Sequence, residues 1–112
     1  LVELLGPARI ACVGTHRESA LIDGTDDLRG IELSEVFDVL RNAKCVFGPS
    51  SGPMHLSSLC GAPHVVWSRK ENYKRYMENW NPLGTKVLFD SKYSWHPSPE
   101  HVYGRFLNWS LR

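Results

Sequence analysis

Apolar residues along this chain come in short blocks separated by glycine- and proline-bearing turns, and the blocks follow two different periods. Ala8-Arg9-Ile10-Ala11-Cys12-Val13, ended by Gly14, reads as a buried strand over 8–13. Cys45-Val46-Phe47-Gly48, His64-Val65-Val66-Trp67 and Lys86 to Phe89 predict three more strands, over 45–48, 64–67 and 86–89. Between them the spacing turns helical. Leu33, Val36, Phe37 and Leu40 predict a helix near 34–42 capped by Ser34, with Lys44 just past its end. A second helix over 53–61 starts at Pro53 and is stopped by Gly61, with Pro63 shortly after. Residues 71–79 suit a short helix, Asn81-Pro82-Leu83-Gly84 a turn, and Ser98-Pro99-Glu100 a helix start followed by Val102, Phe106 and Trp109 on one face. Residues 15–31 are polar and punctuated by Asp23-Gly24 and Asp26-Asp27, which predicts mostly loop with room for one short element.

Strands alternating with helices define the expected class, an α/β Rossmann-like parallel sheet with helices on both faces. In such sheets ligands bind beyond the carboxyl ends of the strands. Gly14 to Glu18, Gly48 to His55 and Ser68 to Asn72 all follow strands, so these segments are expected to line one edge. At 112 residues the chain is one domain's worth. It opens on Leu1, and Leu1 to Leu5 looks like the end of an apolar helix, so the expectation is a fragment of something longer.

Composition narrows the partners. Hydrophobic residues make up 42% and charged residues 22%, the balance of a globular domain. No apolar run reaches the roughly 18–20 residues of a membrane span, and no signal-peptide order opens the chain, so a cytoplasmic address is expected. The net charge of +1, with acids and bases interspersed, argues against a nucleic-acid surface. One local cluster stands out: Arg69, Lys70, Lys74 and Arg75 either face a phosphate-bearing ligand or form a solvated surface. The three cysteines show no C-x-x-C pair and no metal spacing, so no metal is expected, and Cys12, Cys45 and Cys60 read as buried small hydrophobes.

The segment Gly48-Pro49-Ser50-Ser51-Gly52-Pro53-Met54-His55-Leu56 carries the candidate chemistry, a buried strand turning directly into a helix through small residues. The first turn of a helix leaves N–H groups without intrahelical partners, and the helix dipole adds partial positive charge there, which suits phosphate. With Gly52 as cap and Pro53 as first helical residue, the N–H groups of Ser51, Gly52, Met54 and His55 would be free, beside the Ser50 and Ser51 hydroxyls and the His55 ring. The alternative is an ordinary connection whose serines cap the helix. Thr15, His16 and Glu18 follow the first strand at the same edge, where a carboxylate could accept hydrogen bonds from a ribose or base; with Arg69 and Lys70 they are the further candidates for nucleotide binding, and each also reads as plain surface.

Leu33-Ser34-Glu35-Val36-Phe37 followed by Asn42 to Trp67 resembles the C-terminal half of a glycosyltransferase family 9 protein, the family of the lipopolysaccharide heptosyltransferases, and the resemblance covers most of residues 8–68. Asp27-Leu28-Arg29-Gly30 is similar to the Leu-x-Gly segment ahead of the preceding helix, and Ser50-Ser51-Gly52-Pro53-Met54-His55-Leu56 resembles the signature Asp-Ser/Thr-Gly-x-x-His-Leu. The resemblance implies the C-terminal, donor-binding domain of a two-domain GT-B protein, with the N-terminal acceptor domain outside this sequence. It implies a phosphate-facing role for Ser51, Gly52 and His55, and sugar transfer with inversion, without an obligatory metal or other cofactor. The donor it implies is a nucleotide-diphosphate sugar and the acceptor a bacterial lipopolysaccharide or surface polysaccharide, with peripheral membrane association of the full-length protein allowed. The general base is expected in the N-terminal domain, so this domain alone would be inactive. Ser50 stands where the family has its acid, a departure that bears on the donor sugar and on activity.

Gly48-Pro49-Ser50-Ser51-Gly52 also matches G-x-S-x-G, the nucleophile elbow of α/β-hydrolases. Ser50 would attack a carbonyl, His96 or His101 would deprotonate it, and Asp90 would orient the base. Pro53 and the short chain weigh against that reading. A third reading is a non-catalytic nucleotide- or phosphate-binding domain.

Overall fold

A computed structural model describes residues 10–14 and 24–110. In chain order these form β1 (Ala11–Gly14), β2 (Asp26–Arg29), α1 (Leu33–Asn42), β3 (Val46–Pro49), α2 (Gly52–Cys60), β4 (His64–Trp67), a 3-10 turn (Lys70–Asn72), a π-helical turn (Arg75–Asn79), β5 (Val87–Asp90) and α3 (Pro99–Ser110). β1 and β2 pair in parallel as one sheet; β3, β4 and β5 pair in parallel, in that order, as a second. The fold is a small Rossmann-like α/β domain.

The two-residue period of the second sheet separates its faces. Val46, Gly48, Val66, Val87 and Phe89 point toward α2 and the π-helical turn, where Met54 and Tyr76 complete a buried cluster. Gly48 leaves close room for Met54 there, since a Cβ at that position would stand 3.0 Å from the Met54 Sδ and the buried methionine would have to give way slightly. The opposite face meets α3. Phe47 of β3 packs edge-on to Phe106 at 5.1 Å between ring centroids, and Asp90 of β5 meets His101. α2 packs on β1, β3 and β4, α1 lies beside α2, and α3 packs on β5. Helices therefore cover both faces of the second sheet, as the alternation predicts.

Local chemistry sets the element ends, with small shifts from the sequence expectations. α1 is capped at Glu32, not Ser34: the Glu32 carbonyl takes the Val36 N–H at 3.0 Å and no side chain caps the turn. α2 ends on Gly61 at φ 74°, a left-handed cap glycine fills without strain. The short element allowed within 15–31 is the strand β2. Residues 71–79 do not make one regular helix. The Trp80 N–H closes onto the Arg75 carbonyl at 3.1 Å, a five-residue span that widens the turn. The next turn is held by Asn81, whose amide oxygen accepts the Thr85 N–H and whose amide nitrogen donates to the Thr85 carbonyl, both at 2.9 Å. Leu1 to Leu5 lie outside the described residues.

Candidate functional site

β3 and β4 stay paired one step past their ends. The Ser50 N–H donates to the Trp67 carbonyl and the Ser68 N–H to the Asp90 carbonyl, each at 3.1 Å. This ladder sets Ser50 and Ser68 side by side on the carboxyl edge, with 2.9 Å between their hydroxyl oxygens. The Asn72 side-chain amide donates to the Ser68 oxygen at 2.9 Å. Ser68 is fully buried and Ser50 half-buried.

Immediately beyond, Ser51 adopts extended geometry (φ −149°, ψ 178°) and is the residue that caps α2, so the helix starts at Gly52, one residue earlier than the sequence suggests. Two consequences follow for anion binding. The His55 N–H, expected to be free, donates to the Ser51 carbonyl at 3.0 Å and is not available. The N–H groups of Ser51, Gly52 and Met54 have no hydrogen-bond partner among the described residues, and the Ser51 hydroxyl makes no cap bond. Pro53 has no N–H to offer. Met54 contributes only its backbone, because its side chain is buried in the core. Among the described residues the approach to the turn is open: Gly52 is exposed and none of them lies within 4 Å of where its Cβ would be.

The imidazole of His55 turns along the flank of α2. It lies 4.5 Å from the Trp80 ring and 5.3 Å from Tyr76, centroid to centroid, and its Nε2 is enclosed without a hydrogen-bond partner among the described residues. Burial pushes its pKa below the ordinary imidazole value, which favours the neutral ring. His55, Leu59, Asn79, Trp80 and Pro82 line a shallow, mostly apolar cavity of about 210 Å³ beside the helix.

Beneath this lies a polar network that sequence reasoning did not single out. His64 is fully buried; its Nδ1 donates to the Ala62 carbonyl at 2.8 Å, which leaves Nε2 as an acceptor 2.7 Å from the Tyr76 hydroxyl. Ser58 stands 3.4 Å from the same nitrogen, and the Tyr76 oxygen lies 3.1 Å from the Met54 carbonyl. Burial pushes the Tyr76 phenol up to about 12, with a Ser58 hydrogen bond opposing.

The basic cluster is exposed. Arg69 pairs with Glu71 at 3.5 Å, Arg75 lies over the Trp80 ring at 5.5 Å from its centroid, and Lys70 opens the 3-10 turn that follows β4. Arg69 and Lys70 therefore sit on the segment leaving the edge that bears Ser50. Thr15, His16 and Glu18 lie outside the described residues.

Asp90 and His101 do come together. The nearly buried Asp90 carboxylate holds Oδ2 2.6 Å from His101 Nε2, off the N–H axis, while Oδ1 accepts the Lys92 N–H at 3.2 Å; Tyr93 stacks edge-on against the imidazole. The Ser50 hydroxyl, in contrast, is engaged with Ser68 rather than with an imidazole. His96 is exposed. Among the described residues no group of three or more His, Cys, Asp or Glu side chains is placed to hold a metal ion, and no helix is long and apolar enough to cross a membrane.

Ser68 and Asn72 are the site residues that sequence reasoning missed individually. The signal available for them was position, since both fall in the segment that leaves β4 at the ligand edge. No family model, curated protein or solved structure matches the chain.

Proposed function

We propose that this chain binds the diphosphate of a nucleotide sugar at the Ser50–Met54 turn, as the donor-binding domain of a GT-B glycosyltransferase. The observation that carries this reading is the open turn at the carboxyl edge of a parallel sheet. The N–H groups of Gly52 and Met54 have no partner among the described residues, and the hydroxyls of Ser50 and Ser51 flank them. Departure of a nucleoside diphosphate builds negative charge on its phosphate oxygens, and preorganised N–H donors at a helix start stabilise that charge. The backbone carries more of this role than His55, whose ring is packed against Tyr76 and Trp80. The sugar passes to an acceptor of the surface-polysaccharide or lipopolysaccharide class, with inversion and with the general base supplied by the acceptor domain.

Calorimetric titration with ADP, UDP, GDP and CDP tests the reading. Saturable binding of one nucleotide, lost in Gly52→Asp, supports it and names the donor class; failure of all four rules it out. A serine esterase is the second reading, favoured by the Asp90–His101 contact. Covalent labelling of Ser50 by a fluorophosphonate, without nucleotide binding, would establish that reading instead.

A further inference from the structure

The hydroxyl of Ser68 belongs to a fully buried residue, and its proton must find an acceptor inside the protein. Among the described residues its two hydrogen-bonding neighbours are the Asn72 amide nitrogen, which only donates, and the Ser50 oxygen. The Ser68 proton therefore goes to Ser50. Ser50 receives it on a lone pair, and its own proton is left pointing out of the relay from a half-buried position next in sequence to the Ser51 and Gly52 N–H groups, which have no partner among the described residues.

We infer that Asn72, Ser68 and Ser50 form a one-way hydrogen-bond relay that fixes the Ser50 hydroxyl as a donor toward the ligand, so that Ser50 selects an anionic oxygen. Asn72 and Ser68 are positioning residues and touch no ligand themselves. This rests on the nucleotide-sugar reading of the turn. It deepens that reading by giving the residue at position 50 a stated polarity: an ionised carboxylate there would only accept, and would repel a phosphate. The relay also opposes nucleophilic use of Ser50, since a hydroxyl already accepting a hydrogen bond is a poorer nucleophile.

Two experiments on the full chain test it. The first needs no ligand. In solution NMR the Ser68 hydroxyl proton should be protected from solvent exchange and show cross-peaks to the Ser50 methylene protons. A protected hydroxyl proton on Ser50 directed at Ser68, with the Ser68 proton directed at Asn72, would overturn the polarity. The second is a double-mutant cycle read by calorimetry with inorganic pyrophosphate. Asn72→Asp offers Ser68 an acceptor and reverses the relay. It should weaken binding roughly tenfold in the wild-type background, the scale of one hydrogen bond to a charged group, and less than threefold when Ser50 is already Ala. An equal loss in both backgrounds would mean simple charge repulsion and would overturn the inference. Circular dichroism of each variant separates these outcomes from misfolding. If the wild-type chain binds neither pyrophosphate nor any of the four nucleotides, the site reading fails, and the anion role of Ser50 with it. The NMR result still decides the direction of the relay.

Discussion

The Tyr76 hydroxyl stands 2.7 Å from Nε2 of His64, and the other nitrogen of that imidazole is tied to the Ala62 carbonyl. The pair joins the segment after β4 to the foot of β4 itself, and Tyr76 packs in one buried cluster with Met54 in the first turns of α2; the Met54 carbonyl lies 3.1 Å from the phenol oxygen and competes with His64 for its one proton. Tyr76 thus holds the π-helical turn against the helix whose start forms the candidate site. Tyr76→Phe keeps the ring in the core but leaves the His64 acceptor without its nearest donor. Urea unfolding should show a loss of about 1–3 kcal/mol, with the fold retained by circular dichroism. An unchanged midpoint would mean the hydroxyl is dispensable to the packing.

Acid sensitivity follows from the same imidazole. Burial holds the His64 pKa below its ordinary value; the Ala62 bond opposes this, and the charge of His55 adds to it. His55 is lowered by burial as well. Below the unfolded value of about 6.5, the unfolded chain binds protons that the folded chain refuses, so stability rises with pH through that window. The contribution is fully present above the unfolded value and is lost as pH falls through it toward the folded one. Urea midpoints measured from pH 7.5 down to 5 should decline, and His64→Gln should flatten the decline, with His55→Gln flattening it further.

Much of the fold was legible because most of its strands are predominantly apolar blocks. Val65 and Val66 are wholly buried, and a block of that kind between glycine and proline turns leaves few alternatives. β2 was not legible as a strand: Asp26-Asp27-Leu28-Arg29 carries three charged residues, and its pairing comes from β1 rather than from its own pattern. At the site, the strand-to-helix turn and its small residues were visible. The loss of the His55 N–H was not, because it depends on whether the helix cap is Ser51 or Gly52. The relay escaped for a different reason. It joins Ser50 to Ser68 across eighteen positions through strand register, which no local pattern encodes.

Cys45 gives a probe of core integrity. Burial pushes its thiol up to about 11, against weaker opposing contributions from backbone hydrogen bonds at Val46 and Val65 and from the charge of Lys86. At pH 8 the thiol is then almost entirely protonated, and the thiolate is the reactive form. Iodoacetamide should modify Cys45 very slowly in the native protein and readily in urea, as read by peptide mass spectrometry. Rapid native modification would show that the β3 end of the sheet opens.

The Asp90–His101 contact separates a structural latch from a catalytic pair. Asp90 is nearly buried, and His101 is the only side chain paired with it among the described residues. His101→Leu strands the carboxylate and should cost about 1–3 kcal/mol in urea unfolding. Asp90→Asn in the same chain should restore part of that loss, because the neutral amide is cheaper to bury. If the wild-type chain hydrolyses a p-nitrophenyl ester and His101→Leu abolishes that activity with little change in stability, the pair belongs to a serine hydrolase.

Gly52 offers the sharpest division between stability and binding. Its backbone is helical and no described residue lies within 4 Å of its Cβ position, so Gly52→Asp meets no steric obstacle among them. A carboxylate at the first helical position interacts favourably with the helix dipole, worth about 0.3–1 kcal/mol, and replacing glycine also lowers the entropy of the unfolded chain. Thermal unfolding should therefore be unchanged or slightly raised. The same carboxylate occupies the place proposed for phosphate and repels it, so nucleotide binding should vanish. Gly52→Ala, with the methyl but not the charge, should fold equally well and keep binding within a few fold. If Gly52→Asp binds as tightly as wild type, the phosphate does not sit at this turn, whatever nucleotide the chain prefers.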